Sequence, residues 1–344
     1  MRDVAARARV SVSTVSLVLN GRDGGRVKPA ISKRVRRAAE ELEYAPNLVA
    51  RGLRTNQTHT IGLISDRVAS TPFAGRMLAG AHDTAWESGR LLLLVDSGGD
   101  ADVERAAIRT LVQRNVDALI YASMYHRVVE LPTVPDDLPL VLLDARPADE
   151  ERPDVAWVVP DEAGGVRAAV TELLEAGHRR IAYCTDAVDV PAVHERMRSF
   201  EDTMAAAGVP VDPRYIARMP DSNAADGREG AARLLALPEP PTAIFCFNDR
   251  MAMGAYRAAR ELGLRIPDDI SIVGFDDQEH VADGLAPGLT TVALLHYDMG
   301  VWAARQVLSL LSGEEPDGPR QRRMPCPLVR RQSVAPPAIP ADPG

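Results

Sequence analysis

Three apolar runs of this sequence end on a side chain able to hydrogen bond: "LPLVLL" on Asp144, "AIFCF" on Asn248 and "ISIVGF" on Asp276. If the runs are parallel strands, these groups sit at their carboxyl ends, where open α/β sheets bind ligands. The competing role is capping, because Asp or Asn at a strand-to-helix junction accepts the unpaired N–H groups of the next helix. We expect ligand binding for Asp276 and capping for Asp144. Enzyme signatures are missing. There is no G-x-S-x-G, H-E-x-x-H, Walker loop or paired-Cys motif, the seven His do not cluster, and "SGGD" at 97–100 lacks phosphate-binding spacing. Cys184, Cys246 and Cys326 are too scattered for a disulfide framework or zinc cluster and read as reduced core residues. The expectation is a non-enzyme with no cofactor and no metal.

The elements that hold those three groups read clearly. The 344 residues allow two or three domains. Beyond Thr60, apolar runs ("TIGLIS", "RLLLLVDS", "VDALIYAS", "LPLVLLD", "VAWVV", "RRIAYCT", "AIFCFND", "ISIVGFDD") alternate with helical stretches at 73–88, 102–115, 162–176, 192–207 and 249–262. Strand and helix in alternation predict parallel sheets covered on both faces, and this many strands fit two doubly wound lobes. A last helix is expected near 298–312, a terminal strand within 327–334, and a disordered tail over 335–344.

The first 60 residues differ. They carry twelve Arg or Lys against five Asp or Glu, a net +7, so the remainder holds −15 of the total −8. A basic head on an acidic body is the footprint of a nucleic-acid-binding module or an idle basic surface, and charge alone leaves both open. Val4, Ala5 and Ala8, then Val15, Val18 and Leu19, form two short helical faces across a tight turn, which is a helix-turn-helix. Pro29 opens a third helix bearing Ile31, Val35, Ala38, Ala39 and Leu42. No apolar run is long enough to cross a bilayer, and "MRDVAARARV" is not a secretory leader, so the chain is expected in the cytoplasm without membrane partners.

Several segments in order, "DVAARARVSVSTVSLVLNG", "AAEELEYAPNLVARGLRTNQTHTIGLI", "GHRRIAY", "FNDRMAMGAYRAARELGLRIPDDISIVGFDD", "LTTVALLHYDMG" and "LVRRQSVAPP", resemble LacI/GalR-type bacterial transcriptional regulators over nearly the whole chain. The resemblance implies an all-α three-helix DNA-binding headpiece at 1–45, a hinge helix and linker at 46–59, and a periplasmic-binding-protein-like core at 60–334. That core is expected as an N-lobe of about 60–159 and 290–322 and a C-lobe of about 160–289 and 323–334, joined by three crossovers. It also implies a homodimer, double-stranded operator DNA as partner, and a sugar-like small-molecule effector between the lobes.

On this resemblance, Val12, Ser13 and Leu17 fall at base-reading positions. Relatives usually carry Arg where Leu17 stands, and Leu17 lacks its two-pronged guanine contact. Val12 and Leu17 can touch thymine methyls and Ser13 can bond several bases; alternatively Leu17 packs on the headpiece core. Thr14, Ser16, Asn20, Lys28 and Arg51 are assigned to phosphates, with Arg22, Arg26 and Lys33 available. Leu53 in "NLVARGL" is assigned to wedge the minor groove, with a flexible linker as the alternative. Arg9 stands where the family turn has Gly. Only Met1 and Arg2 precede Asp3, so the Thr-containing lead that caps helix one is missing, which points to a start a few codons upstream. Arg196, Asn248 and Asp276 match effector-binding positions, and such forks suit vicinal hydroxyls. Phe73 matches an aromatic near the cleft. Ser222 and Leu294 stand where relatives place an aromatic and a Gln, so the effector is expected to differ from a standard hexose. The rival classes are a solute-binding protein sharing the core fold, which the basic head opposes, and a sugar-modifying enzyme, which lacks a catalytic constellation.

Overall fold

The computed structural model describes residues 1–44, 57–69, 71, 74–149, 152–315 and 318–337. Two units emerge, 1–59 and 60–344. In the first, α1 (Arg2–Ala8), α2 (Val12–Leu19) and α3 (Pro29–Glu41) bury Val4, Ala8, Val15, Val18 and Val35 in a small core. Each helix contributes one apolar stripe, which is how three short helices share a core. The Ser11 side chain caps α2 by accepting from the Thr14 N–H at 3.1 Å. Pro29 opens α3, where its fixed φ suits the first turn. Met1 stands before α1 without a side-chain cap. Arg9 ends α1 in the left-handed conformation, φ 52° and ψ 54°, and the Arg34 Nε donates to the Ala8 carbonyl there at 2.8 Å. A Cβ-bearing residue in that conformation is strained, the conflict expected for Arg in a glycine position.

The second unit contains strands β1 (Thr60–Ser65), β2 (Leu91–Asp96), β3 (Ala118–Val129), β4 (Leu140–Pro147), β5 (Ala156–Pro160), β6 (Ile181–Asp186), β7 (Ile216–Met219), β8 (Ala243–Cys246), β9 (Ser271–Asp276), β10 (Thr290–Ala293), β11 (Gln321–Met324) and β12 (Leu328–Val329). They form two six-stranded sheets, ordered β11-β5-β4-β3-β1-β2 and β12-β10-β9-β8-β6-β7. Pairing is parallel except between β10 and β12. The helices are α4 (Gly75–Glu87), α5 (Ala101–Gln113), α6 (Glu162–Glu175), α7 (Pro191–Ala206), α8 (Ala224–Leu235), α9 (Asp249–Glu261) and α10 (His296–Ser312). Strands such as β6, β8 and β9 are buried at every residue, which is why they read as unbroken apolar runs rather than alternating ones. Asp100, Asp161, Asn223 and Asn248 cap α5, α6, α8 and α9. Strand β7 and helix α8 were not singled out in the sequence; β7 is a four-residue edge strand, too short to stand out.

The chain passes between the sheets three times, after β5, β10 and β11. Those crossings correct the expected lobe boundaries. Residues 290–293 pair with β9 and belong to the second lobe, because the strand finds its partner before the chain crosses to α10. Arg323 and Met324 pair with β5 and belong to the first. The terminal strand is two residues long. The expectation of a disordered tail from 335 is corrected at Ala335, whose carbonyl accepts from Ser271 and lies 2.9 Å from the His178 ring; residues 338–344 lie outside the described residues. In the first lobe α4 and α10 meet at Gly80 and Gly300, where a Cβ on either would collide with the carbonyl oxygen of Tyr297 or Met77. The three cysteines are buried and unbridged.

Candidate functional site

One arc of α2 carries Val12, Ser13, Ser16 and Leu17, with Asn20 at its C-cap. Val12 is 44% exposed and Ser13 is exposed. Leu17 is half-buried and is not among the residues packed on the headpiece core, a place taken by Leu19. The hydroxyls are tied locally: Ser11 Oγ lies 2.7 Å from Ser13 Oγ and 2.8 Å from Thr14 Oγ1, and Asn20 Nδ2 donates to the Ser16 carbonyl at 2.6 Å. Lys28 is exposed just before α3. Arg51, Leu53 and Phe73 lie outside the described residues, as does most of the hinge segment.

Between the lobes of the second unit a cleft is lined by Tyr125, His126, Asp144, Glu162, Arg196, Phe247, Asn248, Asp276 and His296, among others. Three sequence-predicted groups, Arg196, Asn248 and Asp276, thus come together, and Asp144 joins them. Arg196 is 3% exposed. Its Nε donates to Glu162 Oε2 at 2.6 Å, its Nη1 to the Phe247 carbonyl at 2.5 Å, and its Nη2 lies 3.8 Å from Asp276 Oδ1. The guanidinium sits over the Phe275 ring at 3.7 Å and the Phe247 ring at 4.4 Å. Rings and carboxylates on its edges fix the fork in one orientation. Burial works against the Arg196 charge, yet Glu162 and Asp276 hold its pKa above the ordinary value. Burial raises the Glu162 and Asp276 carboxyls in turn, with Arg196 pulling them back.

Asn248 spends its side chain locally. Its Oδ1 caps the Met251 N–H at 2.9 Å and its Nδ2 donates to the Ser222 carbonyl at 3.0 Å. Asp276 caps no helix; its Oδ2 accepts from Gln278 Nε2 at 2.7 Å. The neighbouring Asp249 holds the loop after β9, accepting from the Gln278 N–H at 2.6 Å and from Thr291 Oγ1 at 2.5 Å. Asp144, at φ 56°, and Asp276, at φ 106°, both adopt positive-φ backbone, strain of the kind stored at functional sites. Asp144 is buried with an Oδ1 that has no hydrogen-bond partner, and burial pushes its carboxyl well above the usual range. It caps no helix, in contrast to the expectation, because β4 continues past it to Pro147.

Burial, reinforced by nearby arginines, lowers His126 to about 3 and His296 to about 4, so both are neutral. The lobes are bridged by Arg323 to Glu195 at 3.0 Å, Arg76 to Glu279 at 3.1 Å and Tyr125 Oη to Ser222 Oγ at 3.5 Å. The free volume inside is about 20 Å³, room for one water. Beside it, a mouth of about 680 Å³ is lined by Arg76, Arg250, Asp276, His280 and His296. Elsewhere the first lobe exposes apolar side chains on its edge strand β2 and on α4, which packs against it: Leu91 is 54% and Trp86 66% exposed, and Leu94 is exposed as well.

Comparison with known proteins bears on both regions. Residues 1–47 match "Bacterial regulatory proteins, lacI family" and residues 170–334 match a "Periplasmic binding protein-like domain". The chain is similar to the HTH-type transcriptional repressor CytR of Escherichia coli (strain K12), 32% identical over 338 residues, covering 97% of this chain and 96% of that one. The chain belongs to the lacI family of bacterial regulatory proteins. The HTH-type transcriptional repressor PurR of Aliivibrio fischeri (strain MJ11) is also 32% identical over 338 residues, covering 97% of this chain and 98% of that one. Among solved structures, the lac repressor dimer bound to operator and an anti-inducer aligns with a TM-score of 0.79 at 26% identity, over 97% of this chain and 98% of that one. As a lacI-family member the chain is a DNA-binding transcriptional regulator with a helix-turn-helix headpiece and a two-lobed α/β core. No helix of the described residues is long and apolar enough to cross a membrane.

Sequence reading missed Glu162, Asp249 and His126. A Glu directly after the Asp161 cap looks like ordinary first-turn helix chemistry, and in the dipeptide Asn248-Asp249 the acid reads as another helix-start residue beside its Asn cap. His126 lies inside a strand with no local signal of its destination.

Proposed function

We propose that this regulator is a homodimeric repressor whose operator affinity follows occupancy of the interlobe cleft by a hydroxyl-rich small molecule, a sugar or related metabolite. The carrying observation is the buried Arg196 fork beside Glu162 and Asp276 at the carboxyl ends of β8 and β9. Arg196, Asp276 and the remaining donor and acceptor capacity of Asn248 bind the effector, and Phe73 stacks against it. The mouth of about 680 Å³ admits a small molecule as far as Asp276, but only about 20 Å³ is free beside Arg196 and Asn248, so reaching those two requires the lobes to part, breaking contacts such as Arg323–Glu195. Effector binding therefore biases the angle between the lobes, and through it the headpieces. Those headpieces read base edges with Val12, Ser13 and Leu17, hold phosphates with Thr14, Ser16, Asn20, Lys28 and Arg51, and wedge the minor groove with Leu53. The apolar edge around Trp86 and Leu91 supports self-association. A DNA-regulating role places its work in the cytoplasm.

The test is selection of bound sites from a random double-stranded DNA pool at physiological salt, followed by a thermal-shift screen of sugars and nucleosides. The expected result is a palindromic site whose log affinity falls linearly with log salt, and a compound that raises the melting temperature and changes affinity for that site. A compound that stabilises the protein and leaves DNA affinity unchanged would refute the coupling.

A further inference from the structure

We infer that the operator is recognised through the C5 methyl groups of thymines, read by Val12 and Leu17. The inference rests on the proposal that this chain binds operator DNA through α2. At about 100° per residue, Val12, Ser16, Asn20, Ser13 and Leu17 occupy one arc of roughly 140°. The opposite arc, with Val15, Val18 and Leu19, is turned to the headpiece core. Helix α2, "VSTVSLVL", contains no Lys, Arg, Asn, Gln, Asp or Glu. On the arc only Asn20, the residue that caps the end of α2, belongs to the types that make a two-pronged contact with guanine or adenine or accept from cytosine, and its amide N–H is turned back onto Ser16.

The polar groups on the arc are engaged within the helix: Ser13 Oγ with Ser11 Oγ at 2.7 Å, and Asn20 Nδ2 with the Ser16 carbonyl and, at 3.2 Å, with Ser16 Oγ. Ser13, exposed and with hydrogen-bonding capacity left, can bond several bases and so discriminates little; the selective contacts left to the helix are the isopropyl group of Val12, 44% exposed, and that of Leu17, which is not among the residues packed on the headpiece core. The apolar feature a base pair offers in the major groove is the thymine methyl. A methyl reader has a further consequence, since 5-methylcytosine presents the same group at the same ring position.

The experiment uses the full chain and its selected operator, with each thymine replaced in turn by deoxyuridine, which removes the methyl and leaves the hydrogen-bonding edge intact. Affinity is read by fluorescence anisotropy. Burial of one methyl corresponds to about a fourfold change in Kd for each contacted thymine, and about sixteenfold when both half-sites are changed. Val12→Ala and Leu17→Ala should each bind thymine and deoxyuridine operators equally at one position. At that position a C·G pair should bind weakly and its 5-methyl form recover part of the loss. Leu17→Arg should move the selected base there to guanine, a gain that no unfolded variant can show. If no thymine-to-deoxyuridine change alters Kd, or the Ala variants keep the discrimination, the methyl readout is wrong while DNA binding stands. If the selected duplex binds no tighter than a shuffled one, the operator-binding proposal fails and takes this inference with it.

Discussion

Replacing Arg196 by Met should destabilise the second lobe more than any loss of surface charge could. In the native protein Glu162, 1% exposed, receives the Arg196 Nε at 2.6 Å, and the Phe247 carbonyl receives Nη1 at 2.5 Å. Met fills part of the space over the Phe275 and Phe247 rings but leaves a buried carboxylate without its cation and a buried carbonyl without its donor. Breaking a buried pair from one side costs about 3–5 kcal/mol. Removing the charge from both sides with Arg196→Met/Glu162→Gln should recover a large share, giving a coupling of about 2 kcal/mol or more. The pH dependence follows. In the single variant the Glu162 pKa rises further above its unfolded value, so the native state is least penalised when the carboxyl is protonated. Stability is then lost as pH rises, at up to about 1.4 kcal/mol per unit. Trp86, Trp157 and Trp302 sit on α4, β5 and α10, all in the first lobe, so tryptophan fluorescence would miss the event. Native-state hydrogen exchange of amides in β6, β8 and β9 reads it directly. A double variant as unstable as the sum of its singles would refute the account, as would a single-variant loss independent of pH between about 5 and 8.

Arg9→Gly should stabilise the headpiece by about 1 kcal/mol, seen as slower exchange of α1 and α2 amides, because glycine adopts φ 52° without the Cβ penalty. Gly300→Ala should cost about 3 kcal/mol in urea unfolding despite a better helix propensity, since its Cβ meets the Met77 carbonyl, which cannot move without shifting α4. The neutral buried His126 and His296, lowered to about 3 and about 4, bind protons more weakly folded than unfolded. Their contribution is full above about pH 6.5 and declines as pH falls towards 4, so a urea midpoint that holds steady from pH 7 to pH 4.5 would count against their burial. Asp276→Ala should abolish the effector response while leaving operator affinity in the absence of effector within about threefold; a retained response would remove Asp276 from the site.

Much of this molecule was legible before folding because its signals are local. The helix opened by Pro29, the helical stretch at 162–176 and apolar runs such as "ISIVGF" depend on neighbours a few residues away, and each became the expected element. Asn248, Asp276 and Asp144 could be placed at one end of their sheets for the same reason. Which strand joins which lobe was not local: 290–293 was expected in the first lobe and joins the second, because pairing with β9 is decided by the topology of the whole sheet. The site shows the same division. The family resemblance named Arg196, and strand pattern placed Asp276, but Glu162 lies 34 positions from Arg196 and the Phe247 carbonyl 51, and no short-range pattern links them. Only the folded core brings them together, and there desolvation makes an isolated charge untenable. The guanidinium that sequence marks as a polar fork is thereby held rigidly between two rings and two carboxylates.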